Sequence, residues 1–428
     1  MRDIALGLII LSICLAALRR PWIGVMGWTW MSLMNPHSLT WHLNTMPVAA
    51  AIAGSTLLGL VFTKDRRDFS ITPETGVLIA FMLWISIALF FSMNHDASFS
   101  MWKRVMKIDL MIVVSLVLLY SKKHLLAFIW VVVGSIGFYG VKGGLFTLVT
   151  GGAYVVWGPV GSYIEGNNEL ALALIIITPL FRFLQLQTTS KWGKRAITAA
   201  ILLCVAASLG SHSRGALLAI AAMGATLWWY GGRQLSMLLG MLLVATVALM
   251  FLPEHWFARM STISDYQSDA SAMGRINAWW MAWNLASDRF FGGGFEIYDL
   301  STFALYAPDP ADVHAAHSIY FQVLGEHGFV GLFLFLTLWF LVWWNAGRLR
   351  KEGRKEPQTQ WLSDLGAMCQ VSLVGYAVGG AFLSLAYFDL PYNILVMIVL
   401  GRRWIKRRAW LEPEEIHSAQ PQTNAVPA

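Results

Sequence analysis

Charge is scarce in this sequence of 428 residues. Asp, Glu, Lys and Arg make up 13% of it, against roughly 25% in ordinary soluble domains, and that scarcity excludes a water-soluble surface. Cysteine is nearly absent. Cys14, Cys204 and Cys369 each sit inside an apolar run with no Cys-x-x-Cys pair, which excludes a disulfide framework and a thiolate metal centre. Carboxylates at metal-ligand spacing are also missing. Asp265, Asp269 and Asp288 lack such spacing, and Asp309-Pro310 with Asp312 reads as turn chemistry. No metal and no cofactor are expected. No internal repeat is visible. A cleavable leader is not expected either, because Arg2 and Asp3 cancel ahead of the first apolar run and Arg19-Arg20-Pro21 follow it where small residues should stand.

What the chain has instead is apolar length. Hydrophobic residues make up 57% of it and its mean hydropathy is +0.57. Runs long enough to cross hydrocarbon recur at about 4–18, 22–34, 47–63, 76–92, 106–120, 124–148, 170–187, 196–209, 214–230, 234–252, 317–345, 364–388 and 390–404. They predict an all-α integral membrane protein, a bundle of about twelve transmembrane helices. The net charge of +7 comes from short clusters flanking these runs, such as Lys122/Lys123, Arg348–Lys355 and Arg402–Arg408. Such clusters report orientation and not nucleic acid. Placing them in the cytoplasm puts 150–169, the turn Ser211-His212-Ser213 and the long stretch 253–316 outside. Upstream the rule is strained, since Lys103, Arg104 and Lys107 then fall outside, and a half-inserted N-terminal segment is one resolution.

The expected organisation is therefore an N-terminal transmembrane bundle over 1–252, a helical outer loop over 253–316, C-terminal transmembrane helices over 317–408 and a disordered cytoplasmic tail over 409–428. Ser271 is expected to cap an interfacial helix running through Arg275 and Trp283 to about Ala286, which Gly292-Gly293-Gly294 then ends.

The polar residues that could carry chemistry gather on the outer side. His317-Ser318 opens the run HSIYFQVLGEHGFVG. At 100° per residue, a helix starting there would set His317, Gly328 and Gly331 on one face, the glycines admitting a close neighbour and the imidazole suited to proton transfer. Arg214, where a run begins, and Arg275 in the loop offer guanidiniums to phosphate oxygens, aided by the free N–H groups of a helix start. The bland readings are a solvated histidine and snorkelling arginines. Weaker candidates are His314, which a solvent-exposed loop would explain, Asn167, which could touch sugar or cap a helix, and Lys142, inside an apolar stretch. Two arginines and a histidine suffice for metal-independent transfer from a polyprenyl pyrophosphate.

His317-Ser318, nine residues, Gly328, two residues and Gly331 resemble the motif of the O-antigen ligase and polymerase superfamily, and Arg214 and Arg275 look like its Ser-Arg-Gly and loop arginines. Arg19-Arg20-Pro-Trp-Ile-Gly-Val and Met34-Asn-Pro-His-Ser-Leu-Thr-Trp41 look like the N-terminal region of the O-glycosylation ligases associated with exosortase systems. The resemblance implies a GT-C-like, inverting glycosyltransferase of the bacterial inner membrane with its site facing the periplasm. It would move a glycan from undecaprenyl pyrophosphate to lipid A-core, or to another glycan or a protein, with His317 catalytic and Arg214 and Arg275 on the donor's phosphates. Ser318 departs from the commoner Asn, and His314, Glu326 and His327 have no counterpart in the motif. A polymerase or protein-directed ligase of the same superfamily is the nearest alternative. A transporter, from another class, would be marked by midplane charge or an inverted repeat.

Overall fold

Local signals in the chain set where its helices begin. The computed structural model describes residues 2–63, 71–231 and 270–411. Every regular element among them is helical: α1 (Arg2–Arg19), α2 (Pro21–Met34), α3 (Val48–Phe62), α4 (Pro73–Leu89), α5 (His95–Leu118), α6 (Lys122–Val149), α7 (Asn167–Gln187), α8 (Lys191–Gly210), α9 (Arg214–Tyr230), α10 (Ala270–Asp288), α11 (Leu300–Tyr306), α12 (Ile319–Gly353), α13 (Gln360–Gly380) and α14 (Asp389–Lys406), with short 3-10 turns at 36–39, 43–45 and 357–359. Side-chain oxygens of Asn94, Ser121, Ser190, Ser213 and Asp299 each accept a backbone N–H of the first turn that follows, satisfying a donor the helix itself cannot. Pro21 and Pro73 take first-turn positions, where no N–H is missed.

A described helix lies at each apolar run except 234–252, which falls outside the described residues with Asp265, Asp269, most of the 409–428 tail and the cluster Lys64/Arg66/Arg67. Helix does not equal span, however. By length and composition four described helices can cross a membrane, α6, α7, α8 and α12, while α3 and α4 are apolar but shorter. The count of twelve spans is not carried by these helices. A 14-residue helix such as α2 rises about 21 Å, short of a hydrocarbon core of roughly 30 Å.

Two helices form the centre. Along α7 every residue from Leu170 to Ile177 is buried, and along α14 every residue from Asp389 to Arg403. Around them glycine permits close approach: Gly144 lies on the Leu203 carbonyl of α8, and Gly379 of α13 on Leu172 of α7 and Ala219 of α9. Successive helices run antiparallel, so the chain's turns sort to two ends. The first end gathers 35–47, 90–94, 150–166, 211–213, 270–318 and 381–388. Its ties include Asp3 Oδ1 accepting from His42 N at 2.8 Å, Val156 N donating to Gly210 O at 3.2 Å and Met93 N donating to Gly293 O at 2.8 Å. The second holds 19–20, 119–121, 188–190 and 354–359, tied by Arg403 Nη1 to Leu116 O at 2.8 Å and by Lys122 over the Trp361 ring. The strain in the charge rule stays: Arg19-Arg20 and the chain flanking 64–70 share this basic end, yet Arg104 keeps to the first end, its Nη2 donating to Gly161 O at 3.4 Å and its guanidinium over the Tyr163 ring.

Over the first end α10 and α11 build a small core of their own from Ala278, Met281, Leu285, Ile297 and Phe303. Ser271 lies inside α10 and does not cap it, and the helix continues to Asp288. The run expected at 364–388 ends as helix at Gly380, leaving 381–388 as a connection folded over that end.

Candidate functional site

Two helix N-termini, those of α7 and α9, converge with α10 on one cavity of about 320 Å3. Its wall is built by Asn168 from the start of α7, Ser213, Arg214 and Gly215 from the start of α9, and Ser271, Ala272 and Arg275 from α10, closed by His212, Phe382 and Leu383. Each helix start presents N–H groups and the positive end of a dipole. Two guanidiniums, those of Arg214 and Arg275, stand in the same wall.

Local sequence explains the convergence. His212 turns the chain with φ +56° and its buried Nε2 lies 3.1 Å from Gly152 O. That contact fixes the tight turn between α8 and α9. Ser213 then caps α9, its Oγ accepting from Ala216 N at 3.2 Å, so Arg214 occupies the first helical position. Asn167 does not cap α7, whose cap is Gly166. Its amide donates instead to Ser211 O at 2.7 Å, tying α7 to the turn that presents Arg214. The neighbour Asn168, not Asn167, reaches the cavity wall. Glu169, in the first turn of α7, is close enough to Arg275 for their charges to interact.

On the other side of Arg275 lie the two histidines. A Cβ at Gly274 would meet His314 Nδ1 at 2.5 Å, so the absence of a side chain there lets the imidazole rest on α10. His314 is not an isolated solvent-exposed histidine: its Nδ1 stands 2.7 Å from Asp312 Oδ1. Asn277 holds that strap in place, its Nδ2 donating to Asp309 O at 2.8 Å and Asp312 O at 2.9 Å. Asp309 in turn accepts from Ala311 N at 3.0 Å, the turn chemistry expected of it.

His317 is half-buried beside this group. Burial, then the positive charge of Arg275, then His314 push its pKa down to about 4. It is a neutral imidazole at physiological pH, and its Nδ1 is buried with no hydrogen-bond partner among the described residues. Its backbone sits at φ +43°, uncommon for a residue with a Cβ. Trp279 Nε1 holds the preceding Ala316 carbonyl at 2.7 Å, and the buried Ser318 follows as the cap position of α12 without a side-chain capping bond. Such strain persists only where the surroundings over-determine it.

The shared helix face proposed for His317, Gly328 and Gly331 does not exist. His317 precedes the helix, which begins at Ile319, and Gly328 breaks it with φ +68° and ψ −173°. That break withdraws the usual N–H partners from the carbonyls before it. They are taken up elsewhere: Gly325 O accepts from Gly293 N at 3.0 Å, Glu326 O from Gly294 N at 2.9 Å and His327 O from Trp84 Nε1 at 2.9 Å. A Cβ at Gly328 would strike the Phe290 carbonyl. The motif's glycines therefore seat the first half of α12 on the 290–294 turn. Gly331 keeps the close-packing role, against Trp84.

Glu326 and His327 are buried away from the cavity wall, Glu326 accepting a hydrogen bond from Tyr387 and His327 packed edge-on against Phe81 and Phe295. Lys142 is exposed and lines a different cavity with Tyr139, Phe146 and Trp157. Its helix runs on to Val149, so the span does not end early. Sequence reading missed His212, Asn168, Ser271 and Phe382. Only His212 and Asn168 carried a signal, standing in the polar runs Ser-His-Ser-Arg and Gly-Asn-Asn-Glu.

Residues 1–189 match a family model described as a family of unknown function (DUF5935). No curated protein matches the chain. The N-terminal match covers the segments that resemble exosortase-associated ligases and attaches no activity to them. Residues 199–336 match the family model described as O-antigen ligase, and Arg214, Arg275, His317, Gly328 and Gly331 all fall within that match. The 199–336 segment is an O-antigen ligase-type domain, and it ties the chain to the O-antigen ligase-like superfamily.

Proposed function

We propose that this protein is a glycosyltransferase of the O-antigen ligase type, moving a glycan from undecaprenyl pyrophosphate to an acceptor hydroxyl, with lipid A-core the foremost acceptor. The observation that carries the reading is the cavity where Arg214, Arg275 and the N-termini of α7 and α9 meet next to a neutral histidine. The acceptor oxygen attacks the anomeric carbon, the bond from that carbon to the pyrophosphate oxygen breaks, and the proton passes to the imidazole of His317. The electron pair leaves on the pyrophosphate. Arg214, Arg275 and the N–H groups at the starts of α7 and α9 meet the charge where it develops. A single displacement inverts the anomeric centre.

This proposal keeps the organisation expected from the sequence: a transmembrane bundle over 1–252, an outer loop over 253–316 that carries Arg275, and C-terminal transmembrane helices over 317–408. Next to Arg275 an apolar cavity of about 440 Å3 lined by Ile276, Trp279, Trp280, Trp283 and Phe321 suits the isoprene units adjoining the pyrophosphate. The basic end then faces the cytoplasm of a bacterial inner membrane and the arginine cavity the periplasm.

The test is product analysis with reconstituted protein, undecaprenyl-pyrophosphate-linked glycan and three acceptors in parallel: lipid A-core, a second lipid-linked glycan and a protein. One glycan block on lipid A-core, lost in His317→Ala, is expected. A ladder of lengthening lipid-linked chains would replace the ligase with a polymerase. No transfer to any acceptor by a folded protein would end the proposal.

A further inference from the structure

The far end of α12 carries a second cavity that the transfer chemistry does not use. It measures about 370 Å3 and is lined by Arg348, Arg350, Lys351 and Arg354 together with Tyr230, Trp343, Trp344, Gly347 and Gln370. Cations crowd here without matching carboxylates. Glu352 pairs with Arg348 at 3.9 Å and with Arg402 at 3.5 Å, and no carboxylate stands within 4.0 Å of Arg350, Lys351 or Arg354 among the described residues. Arg350 lies over the Tyr230 ring, 3.6 Å from its centroid, and is close enough to Arg354 for their like charges to repel. The Tyr230 ring is itself fixed, its hydroxyl donating to Gln370 Oε1 at 2.8 Å, and Gln370 Nε2 donates to Trp343 O at 3.2 Å.

Trp343 lines both this basic cavity and a neighbouring apolar one of about 310 Å3 on α12 and α13, whose other walls include Leu336, Trp339, Phe340, Leu373 and Val374. One molecule fits both halves: an anionic head among the guanidiniums and a chain of methylenes along the seam. We propose that this groove is a binding site for an anionic glycerophospholipid, whose phosphodiester is held by Arg350, Lys351 and Arg354 and whose acyl chain lies in the α12/α13 seam. Clustered Lys and Arg at a membrane face attract anionic lipid in a general way. What distinguishes a built site is the fixed aromatic wall and the adjoining apolar channel, which a soluble phosphate cannot use.

The test is native mass spectrometry of delipidated full-length protein in neutral detergent, offered phosphatidylglycerol, phosphatidylcholine or inorganic phosphate. One retained phosphatidylglycerol per chain is expected, with little retention of the other two. Lys351→Gln/Arg354→Gln, which alters two exposed side chains, is expected to weaken that retention about tenfold. The pair Lys355→Gln/Lys406→Gln removes the same charge from the same end without touching the cavity wall, and is expected to leave retention unchanged. Equal weakening by the two pairs would overturn the site in favour of diffuse attraction. Inorganic phosphate held as tightly as the lipid would overturn it in favour of a free-anion site, and phosphatidylcholine held as tightly would remove the role of the cations.

Discussion

His317 has an acidity set by its neighbours, and the sign of that effect is testable. Burial, Arg275 and His314 all disfavour its cation, so in the free protein it protonates only near pH 4. A pyrophosphate lodged at Arg214 and Arg275 adds negative charge beside it, which favours the cation and moves the pKa up. The base is therefore weak until donor arrives and stronger afterwards. The acid limb of kcat/KM for the donor, which reports the free enzyme, is expected near pH 4. At saturating donor the acid limb of kcat is expected at distinctly higher pH. Coincident limbs near the ordinary histidine value would show that Arg275 does not act on this ring. The identities of these residues were legible in the sequence because Arg214, Arg275 and His317 stand on the predicted outer side, two of them where apolar runs begin. Their supports were not, since the turn made by His212 and the clearance given by Gly274 arise from contacts across 60 residues for His212 and 40 for Gly274.

At the scale of elements, α12 shows where periodicity misleads. Eleven residues of even helical phase place His317 and Gly328 together on paper, yet a glycine can as readily break a helix as pack within one. What decides here is the 290–294 turn, whose N–H groups and the Trp84 indole take the carbonyls that the break releases. Gly328→Ala forces a Cβ into a backbone region nearly exclusive to glycine and against the Phe290 carbonyl, a loss of about 1–3 kcal/mol from the backbone alone. A thermal midpoint lowered by several degrees in detergent, with transfer activity lost, is expected. Gly134→Ala, where an added Cβ meets open space, is expected to leave the midpoint in place. Equal midpoints for the two variants would mean that the break is not required. Capping misled at Ser271, which lies inside α10, whereas Ser190 and Ser213, serines ahead of apolar runs, do start α8 and α9.

For the whole molecule, hydropathy placed a described helix at every apolar run except 234–252 but did not reveal α11, and only four described helices can cross by length and composition, because a window of apolar residues does not distinguish a crossing helix from a short one buried among others. Charge sorts by end without choosing a side: the antiparallel order of the helices collects Lys122, Arg350 and Arg403 at one end and Arg104, Arg214 and Arg275 at the other. Cysteine labelling reads this directly, since Cys204 and Cys369 are buried and Cys14 is half-buried. Ser162→Cys is expected to react with an impermeant maleimide from the periplasm and Lys355→Cys only after the membrane is opened. The reverse pattern would invert the molecule and remove the periplasmic site.

The central claim is that one cavity binds the leaving pyrophosphate. Its most direct test is the single-turnover rate of glycan transfer from undecaprenyl-pyrophosphate donor in EDTA, measured for wild type, Arg214→Ala, Arg275→Ala and Lys142→Ala. The account predicts wild-type activity under chelation, a fall of about 10²–10³ for each cavity arginine and no change for Lys142→Ala. Undiminished transfer by Arg214→Ala and Arg275→Ala would contradict it.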